Sequence, residues 1–312
     1  MQHELEVVTE IIREAGAIVL KHYRAGAGAD HYKDGEPVTA ADRESDAFIV
    51  RALRRAFPDD EIVSEESVGE LVGLRDGGPG DGAAPDDGVA ADDGGAEAKP
   101  DEAPFILEHT PDAEPPHVDH APPRVWYVDP MDGTSDFVKR TDDFVVMIGL
   151  AVAGWPVLGA VYHPPSGTLY RGGHGMVAEK CVGGERTELR VSDVTDPSRA
   201  RLVVSRSHTP DIVADMAAQL GIEKMEKCGS VGLKAARVAE GAGELYLHPS
   251  IGTKLWDTCA PEAIVVAAGG TFSDCDGKPL VYDAARIHNE RGVFVSNGRL
   301  HDAVLEQISG VW

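Results

Sequence analysis

Apolar residues at helical spacing open the chain. Leu5, Val8, Ile11, Ile12, Ala15, Val19 and Leu20 recur every three or four positions and predict a helix over 4–23. A polar, Gly-rich loop follows. A second helix runs from about Thr39 to Phe57, with Phe48, Ile49, Leu53 and Phe57 on one stripe and Pro58 as its stop. EIVSEES (61–67) reads as a short strand running into acid. Beyond 124 the pattern changes to consecutive apolar runs: RVWYVD (124–129), DFVVMIGLAVAG (143–154), PVLGAVYHP (156–164) and TLYRGG (168–173), with a hairpin around Gly154-Trp155-Pro156. Strands without intervening helices predict an antiparallel sheet. From about 200 strands and helices alternate. RLVVSRSH is a strand and loop, and a helix runs from Thr209-Pro210 to Leu220, closed by Gly221. Another runs from Ser230 to Gly241, ELYLHP (244–249) is a strand, and a helix opened by Asp257 ends at Gly269-Gly270. TFSD, the CDG turn and KPLVYD predict a late hairpin-like strand pair. The fold class is α/β: helices plus an antiparallel sheet over 1–195, then an alternating α/β half over 196–312.

One stretch breaks the pattern. Residues 70–124 are rich in Gly, Pro, Asp and Ala. Within 76–123 thirteen acids face one lysine, a net of −12 and half of the chain's −24. Such a segment buries too little apolar surface to offset its ordering entropy, so it is read as a disordered acidic insertion. FILEH (105–109) is the part with the apolar content to order locally. HVDH (117–120) has two histidines, but the flanking prolines favour a solvated loop over a metal site.

The charge balance makes nucleic acid and anionic membrane poor partners, and a small anionic substrate would need a metal ion or a focused basic pocket. The four cysteines, Cys181, Cys228, Cys259 and Cys275, form no C-x-x-C pair, which disfavours a zinc site or redox dithiol. Buried thiols in a reducing compartment and the charged, amphipathic N-terminal stretch place the protein in the cytoplasm. Either a monomer or a homodimer is compatible with the sequence.

Within VDPMDGTSDF (128–137) two carboxylates stand three residues apart, around a proline, before a short helix ending near Lys139-Arg140. Asp132 could simply cap that helix. Asp129, at the end of an apolar strand, is then unexplained, because a buried carboxylate is expensive unless paired or metal-bound. Glu65 and Glu66 end another strand, where a solvated strand end explains them equally well. Asp257 has the position of a helix N-cap. Asp42 follows Thr39 at capping-box spacing. Each acid alone is weak. Together they repeat one design, a carboxylate at a strand–helix junction, and helix N-termini beside such acids attract anions. Hard oxygen ligands suit Mg²⁺, which lets acids face a phosphate.

D-P-M-D-G-T at 129–134, E-E at 65–66 and W-D at 256–257 resemble the Mg²⁺-dependent, lithium-sensitive phosphatases of the inositol monophosphatase and fructose-1,6-bisphosphatase superfamily. The resemblance implies a layered αβαβα sandwich and two or three Mg²⁺ ions bound by Glu65, Asp129, the Met131 carbonyl, Asp132 and Asp257. It implies that Asp42 and Thr134 activate the attacking water and that backbone N–H groups of Gly133 and Thr134 hold the phosphate. Within the superfamily, VSRSH (204–208) and 229–264 look like 3′(2′),5′-bisphosphate nucleotidases, in which the positions of Ser205, His208, Ser230, Lys234 and Asp257 line the nucleotide pocket. Lys234 lies four residues after Ser230 in a small, apolar run; it either snorkels or meets an anion. Inositol monophosphatases carry an acid where this chain has Ser250, and lack a lysine at 234. The resemblance therefore implies hydrolysis of the 3′-phosphate of adenosine 3′,5′-bisphosphate to AMP, with 3′-phosphoadenylyl sulfate as a second substrate linked to sulfur metabolism. The alternatives are an inositol phosphatase of the same fold and a catalytically silent phosphate-binding sensor.

Overall fold

Strand β4 (Arg124–Asp132) feeds two cores at once. Successive side chains of a strand point to opposite faces, so Trp126 and Val128 enter one core and Val125 and Tyr127 the other. The structure is a computed structural model and describes residues 1–33, 36–66, 123–206 and 209–308. The acidic stretch as far as 122, with FILEH and HVDH, lies outside the described residues, as does His208.

Helices α1 (Gln2–Ala25) and α2 (Ala40–Ala56) cover the first face. Their predicted stripes are the buried ones, Leu5, Val8, Ile12, Ala15 and Val19 on α1 and Ile49 and Leu53 on α2. Between them, the expected Gly-rich loop holds a short antiparallel hairpin, β1 (His31–Lys33) and β2 (Glu36–Val38). The seven-stranded sheet runs from β3 (Glu61–Ser64) through β4, β5 (Val145–Val152), β6 (Trp155–His163), β7 (Thr168–Gly173) and β8 (Glu179–Val182) to β9 (Glu185–Glu188). It is antiparallel from β4 onward, as the uninterrupted run of strands predicts. β3 and β4 pair in parallel, because 67–122 intervenes between them and allows a crossover. The predicted short helix after β4 is α3 (Thr134–Lys139).

Strands β10 (Arg201–Ser205), β11 (Lys224–Cys228), β12 (Leu245–His248), β13 (Thr271–Ser273) and β14 (Val293–Ser296) form a second sheet in the order β11-β10-β12-β14-β13. The predicted pairing of TFSD with KPLVYD is not made. β13 pairs antiparallel with β14 instead, and 279–284 runs without strand pairing. On the far side of this sheet α4 (Asp211–Gln219) and a C-terminal helix, α7 (His301–Ile308), pack against Leu202, Val204, Leu247 and Phe294. Helices α5 (Val231–Ala239) and α6 (Leu255–Ala267) fill the space between the sheets, joining Val145, Met147 and Val161 to Val203, Tyr246 and Val295 in one core. The succession is α, β, α, β, α, the layered sandwich expected. α6 approaches the first sheet closely because Gly149 lies under it: a Cβ there would stand 2.6 Å from the Ala260 nitrogen. α6 also begins two residues before Asp257, with Lys254 as its N-cap, so Asp257 is the third helical residue and not the cap.

Candidate active site

The ladder between β4 and β5 loses register between Asp129 and Asp132. Pro130 lacks the N–H a central strand needs, and its carbonyl accepts from Ser45 Oγ at 3.0 Å. Met131 N donates to Asp129 Oδ1 at 3.0 Å and folds the bulge over its own carboxylate. Gly133 comes next at φ +97°, the left-handed region that glycine enters without penalty. From there the chain passes into α3. Asp132 does not cap it. Its Oδ2 accepts from Ser230 Oγ at 2.7 Å and Gly232 N at 2.9 Å, both at the start of α5. The link arises because α5 leaves the carboxyl end of β11 and points at the bulge.

Asp42 does two jobs. Its Oδ2 accepts from Thr39 N at 2.8 Å and Thr39 Oγ1 at 2.7 Å, completing the capping box of α2. Its Oδ1 accepts from Thr134 Oγ1 at 3.1 Å. The Thr134 hydroxyl is also 3.1 Å from the Met131 carbonyl. Burial raises the Asp42 pKa, and the Thr39 and Thr134 donors oppose that rise.

Glu65, Asp129, Asp132 and Asp257 converge. Asp129 is 1 % exposed, and its pKa rises well above the ordinary range, first through burial and then through the charges of Glu65, Asp132 and Asp257. The Asp257 pKa is pushed up to about 7, by burial and then by Asp132, while Lys254 N donates to Asp257 Oδ2 at 2.6 Å. Burial and the neighbouring acids thus raise the proton affinity of both Asp129 and Asp257. Glu65 is half-buried at the turn after β3, its N–H donating to the Val128 carbonyl at 3.2 Å. Glu66 lies beside it, also half-buried. Among the described residues no three acids stand close enough to ligate a single ion, since Asp129 is turned to Asp257 and Asp132 to α5. The chemistry of the set nonetheless fits a hard divalent cation. All its donors are carboxylate or carbonyl oxygens, and the buried acids oppose one another's ionisation, a penalty that a cation removes.

Lys234 does not snorkel. It is 5 % exposed, with Nζ 4.9 Å from the centroid of the Tyr246 ring and within the field of Asp132, Asp136 and Asp257. Burial lowers its pKa, and those acids oppose the shift. Ser230 caps α5, its Oγ accepting from Leu233 N at 3.1 Å. Ser205 ends β10, which pairs in parallel with β11 on one side and β12 on the other, so the chain after β10 goes first to one side of it and then crosses to the other. Ligands bind in such crevices at the carboxyl ends of strands. Ser250 is exposed, with its Oγ 3.2 Å from His248 Nε2.

Sequence reasoning missed three residues of this region. Asp46, buried on α2, accepts from Ser64 Oγ beside Glu65; its spacing of four from Asp42 puts both acids on one helix face and was the available signal. Asp136 is buried on α3 and accepts from Thr141 Oγ1 at 2.5 Å. The Tyr246 hydroxyl is buried with no hydrogen-bond partner among the described residues, close to Asp132 and Asp257. In the sequence Tyr246 reads only as a strand aromatic.

This arrangement has known counterparts. A "3′(2′),5′-bisphosphate nucleotidase CysQ" of Salmonella typhimurium is 34 % identical over 282 residues, covering 89 % of this chain and 93 % of the relative. A structure described as CysQ from Bacteroides thetaiotaomicron, a bacterial member of the inositol monophosphatase family, superposes with a TM-score of 0.68 at 25 % identity, covering 96 % of this chain and 98 % of its own. An inositol monophosphatase from Anabaena superposes with a TM-score of 0.66 at 25 % identity, covering 99 % and 95 %. The inositol monophosphatase family profile matches residues 1–312, and with the five layers and the bulged D-P-M-D-G-T strand in place the chain belongs to the inositol monophosphatase family.

Proposed function

We propose that this chain is a Mg²⁺-dependent phosphomonoesterase that removes the 3′-phosphate of adenosine 3′,5′-bisphosphate, giving AMP and phosphate, and that 3′-phosphoadenylyl sulfate is a second substrate. The observation that carries the reading is the Thr134–Asp42 hydrogen bond beside the converging acids. It provides a hydroxyl that can accept a proton from water and a carboxylate that can take the hydroxyl's own proton. The relatives named as bisphosphate nucleotidases support the substrate class.

In this reading Glu65, Asp129, Asp132, Asp257 and the Met131 carbonyl hold the Mg²⁺ ions, from the half spanning 1–195 and from α6 of the half spanning 196–312. Bound there, Mg²⁺ supplies the positive charge that lets a phosphate approach the acids and that makes water more acidic. Thr134 orients the attacking water in line with the leaving oxygen, and its hydroxyl proton passes to Asp42 Oδ1. The N–H groups of Gly133 and Thr134, which have no intrahelical acceptor at the start of a helix, point donors at the phosphate. Lys234 contributes the positive charge that a second phosphate requires, and Ser205, His208 and Ser230 complete the nucleotide side. Lithium inhibition and action in the cytoplasm belong to the same proposal.

The test is phosphate release over a set of nucleotide and inositol phosphates, with and without Mg²⁺. The expected result is the highest kcat/KM on adenosine 3′,5′-bisphosphate and none without metal. A preference for inositol 1-phosphate would assign the other branch of the family, and tight binding without turnover would assign a sensor.

A further inference from the structure

Asp132 is gripped by Ser230 and Gly232 at the start of α5, and Ser230 is itself in a strained conformation. Ser230 has φ +58° and ψ 140°. A non-glycine residue is strained there and persists only where its surroundings hold it. One residue earlier, Gly229 N donates to Asp143 Oδ2 at 2.8 Å. The same oxygen accepts from Arg206 Nε at 2.7 Å and from Arg206 Nη2. Arg206 in turn is tied to the strand that leads into Gly229, its backbone N–H donating to the Cys228 carbonyl at 3.1 Å. Gly229 has no room for a side chain: a Cβ would stand 2.5 Å from Asp136 Oδ2 and from the Asp143 Cβ.

Asp143 is fixed from its own side as well. Its neighbour Asp142 has φ +65°, accepts from Tyr23 Oη at 2.7 Å through Oδ1, and offers its carbonyl to His163 Nε2 at 2.6 Å. Its other neighbour, Phe144, is completely buried. Asp143 thus stands on the first sheet's side and reaches two groups of the second. Arg206 is 40 % exposed, and an ion pair so open to water adds little stability. What the contact determines is the path of the backbone at Gly229–Ser230.

We propose that Asp143, with Arg206 as its counter-charge, is a positioning residue that locks the Gly229–Ser230 turn and thereby aims Asp132 for metal binding. The proposal rests on the reading of Asp132 as a metal carboxylate. Arg206, in the middle of VSRSH, has a structural partner in this account and no contact with substrate.

The experiment measures Mn²⁺ binding to the metal-free protein by the EPR signal of free Mn²⁺, alongside the Mg²⁺ dependence of phosphate release. Asp143→Ala is expected to weaken Mn²⁺ binding about tenfold, the lower end for loss of an outer partner of a ligand. It should raise the Mg²⁺ concentration for half-maximal activity in proportion, with kcat at saturating Mg²⁺ largely kept. Asp143→Asn, whose amide oxygen still accepts from Gly229 N, is expected to recover most of the affinity. Wild-type Mn²⁺ affinity in Asp143→Ala, or equal damage in the Ala and Asn variants, would overturn the proposal. If Asp143→Ala does not fold, Arg206→Ala decides: a loss of Mn²⁺ affinity with kcat at saturating Mg²⁺ largely kept supports positioning, and no loss overturns it. If the wild-type protein itself binds no Mn²⁺, the metal reading of the acids fails and the positioning role fails with it.

Discussion

Thr134 Oγ1 and Asp42 Oδ1 meet at 3.1 Å across 92 residues of chain, while the other oxygen of Asp42 caps the helix that carries it. Capping and the proposed proton acceptance therefore use different atoms of one carboxylate. Asp42→Asn keeps one oxygen for one of these roles but cannot take a proton. Its kcat is expected to fall by about 10²–10⁴-fold, the usual weight of a positioned base, with Tm lowered by only about 2–4 °C for a weakened cap. Thr134→Val should lose a comparable factor and Thr134→Ser little. Steady-state kinetics with thermal melts on the same preparations check the set; a Thr134→Val enzyme as fast as wild type would refute the pair.

Lys234 is buried between Asp132 and the Tyr246 ring, so two roles compete for it: countering Asp132 and meeting a substrate phosphate. The nucleotidase reading requires the second. Lys234→Met should lower kcat/KM on adenosine 3′,5′-bisphosphate by about 10–100-fold, the loss of one charged hydrogen bond. It should change kcat/KM on adenosine 3′-monophosphate far less. Equal losses on both substrates would make the lysine a partner of Asp132 only.

Away from these acids, Glu262 is buried on α6, where Tyr282 Oη donates to its Oε2 at 2.6 Å. Burial pushes its pKa up to about 8 from 4.5, against the opposing effect of Tyr282. The folded protein thus holds a proton that the unfolded chain releases between pH 4.5 and 8. Stability contributed by this group is complete below pH 4.5, falls as pH rises through the window and levels off above 8. At about 1.4 kcal/mol per unit the swing is on the order of 5 kcal/mol. Glu262→Gln keeps an acceptor for Tyr282 and removes the titration. Its Tm is expected to match wild type at pH 5 and exceed it at pH 8.5; parallel Tm–pH curves for the two proteins would contradict this.

Much of this was legible before any coordinates. Helical stripes fixed α1 and α2 because their apolar positions repeat locally, and Thr39–Asp42 announced its capping box by spacing alone. The short helix after the D-P-M-D-G-T stretch was legible as well, whereas the bulge between Asp129 and Asp132 was not among the expected features. The residues that stayed hidden depend on contacts distant in sequence. β13 chose β14 over KPLVYD, and no local pattern selects between two apolar partners. In the sequence Asp143 reads only as the first residue of the strand run DFVVMIGLAVAG, since its meaning comes from Gly229 and Arg206, 86 and 63 residues away. The predicted N-cap role of Asp257 failed by three residues, the cap being Lys254, because Leu255 and Trp256 are as helical as Thr258 and Cys259.

Asp129 offers the sharpest separation of stability from function. Its carboxyl is buried, and the charges of Glu65, Asp132 and Asp257 raise its proton affinity further. Asp129→Asn removes one of two opposed acids while keeping an oxygen to accept from Met131 N. In EDTA the variant should therefore melt at or above the wild-type Tm, by up to about 2–4 °C for each kcal/mol of repulsion relieved. Adding Mg²⁺ should reverse the order. The wild-type Tm is expected to rise with Mg²⁺ concentration, because a ligand that binds only the folded state stabilises it by mass action, while the variant's Tm stays flat and its phosphate release is lost. Thermal melts of both proteins across a Mg²⁺ series, paired with the phosphate assay, make the comparison. A wild-type Tm that ignores Mg²⁺, or an Asn variant that follows it, would remove the divalent ion from this site.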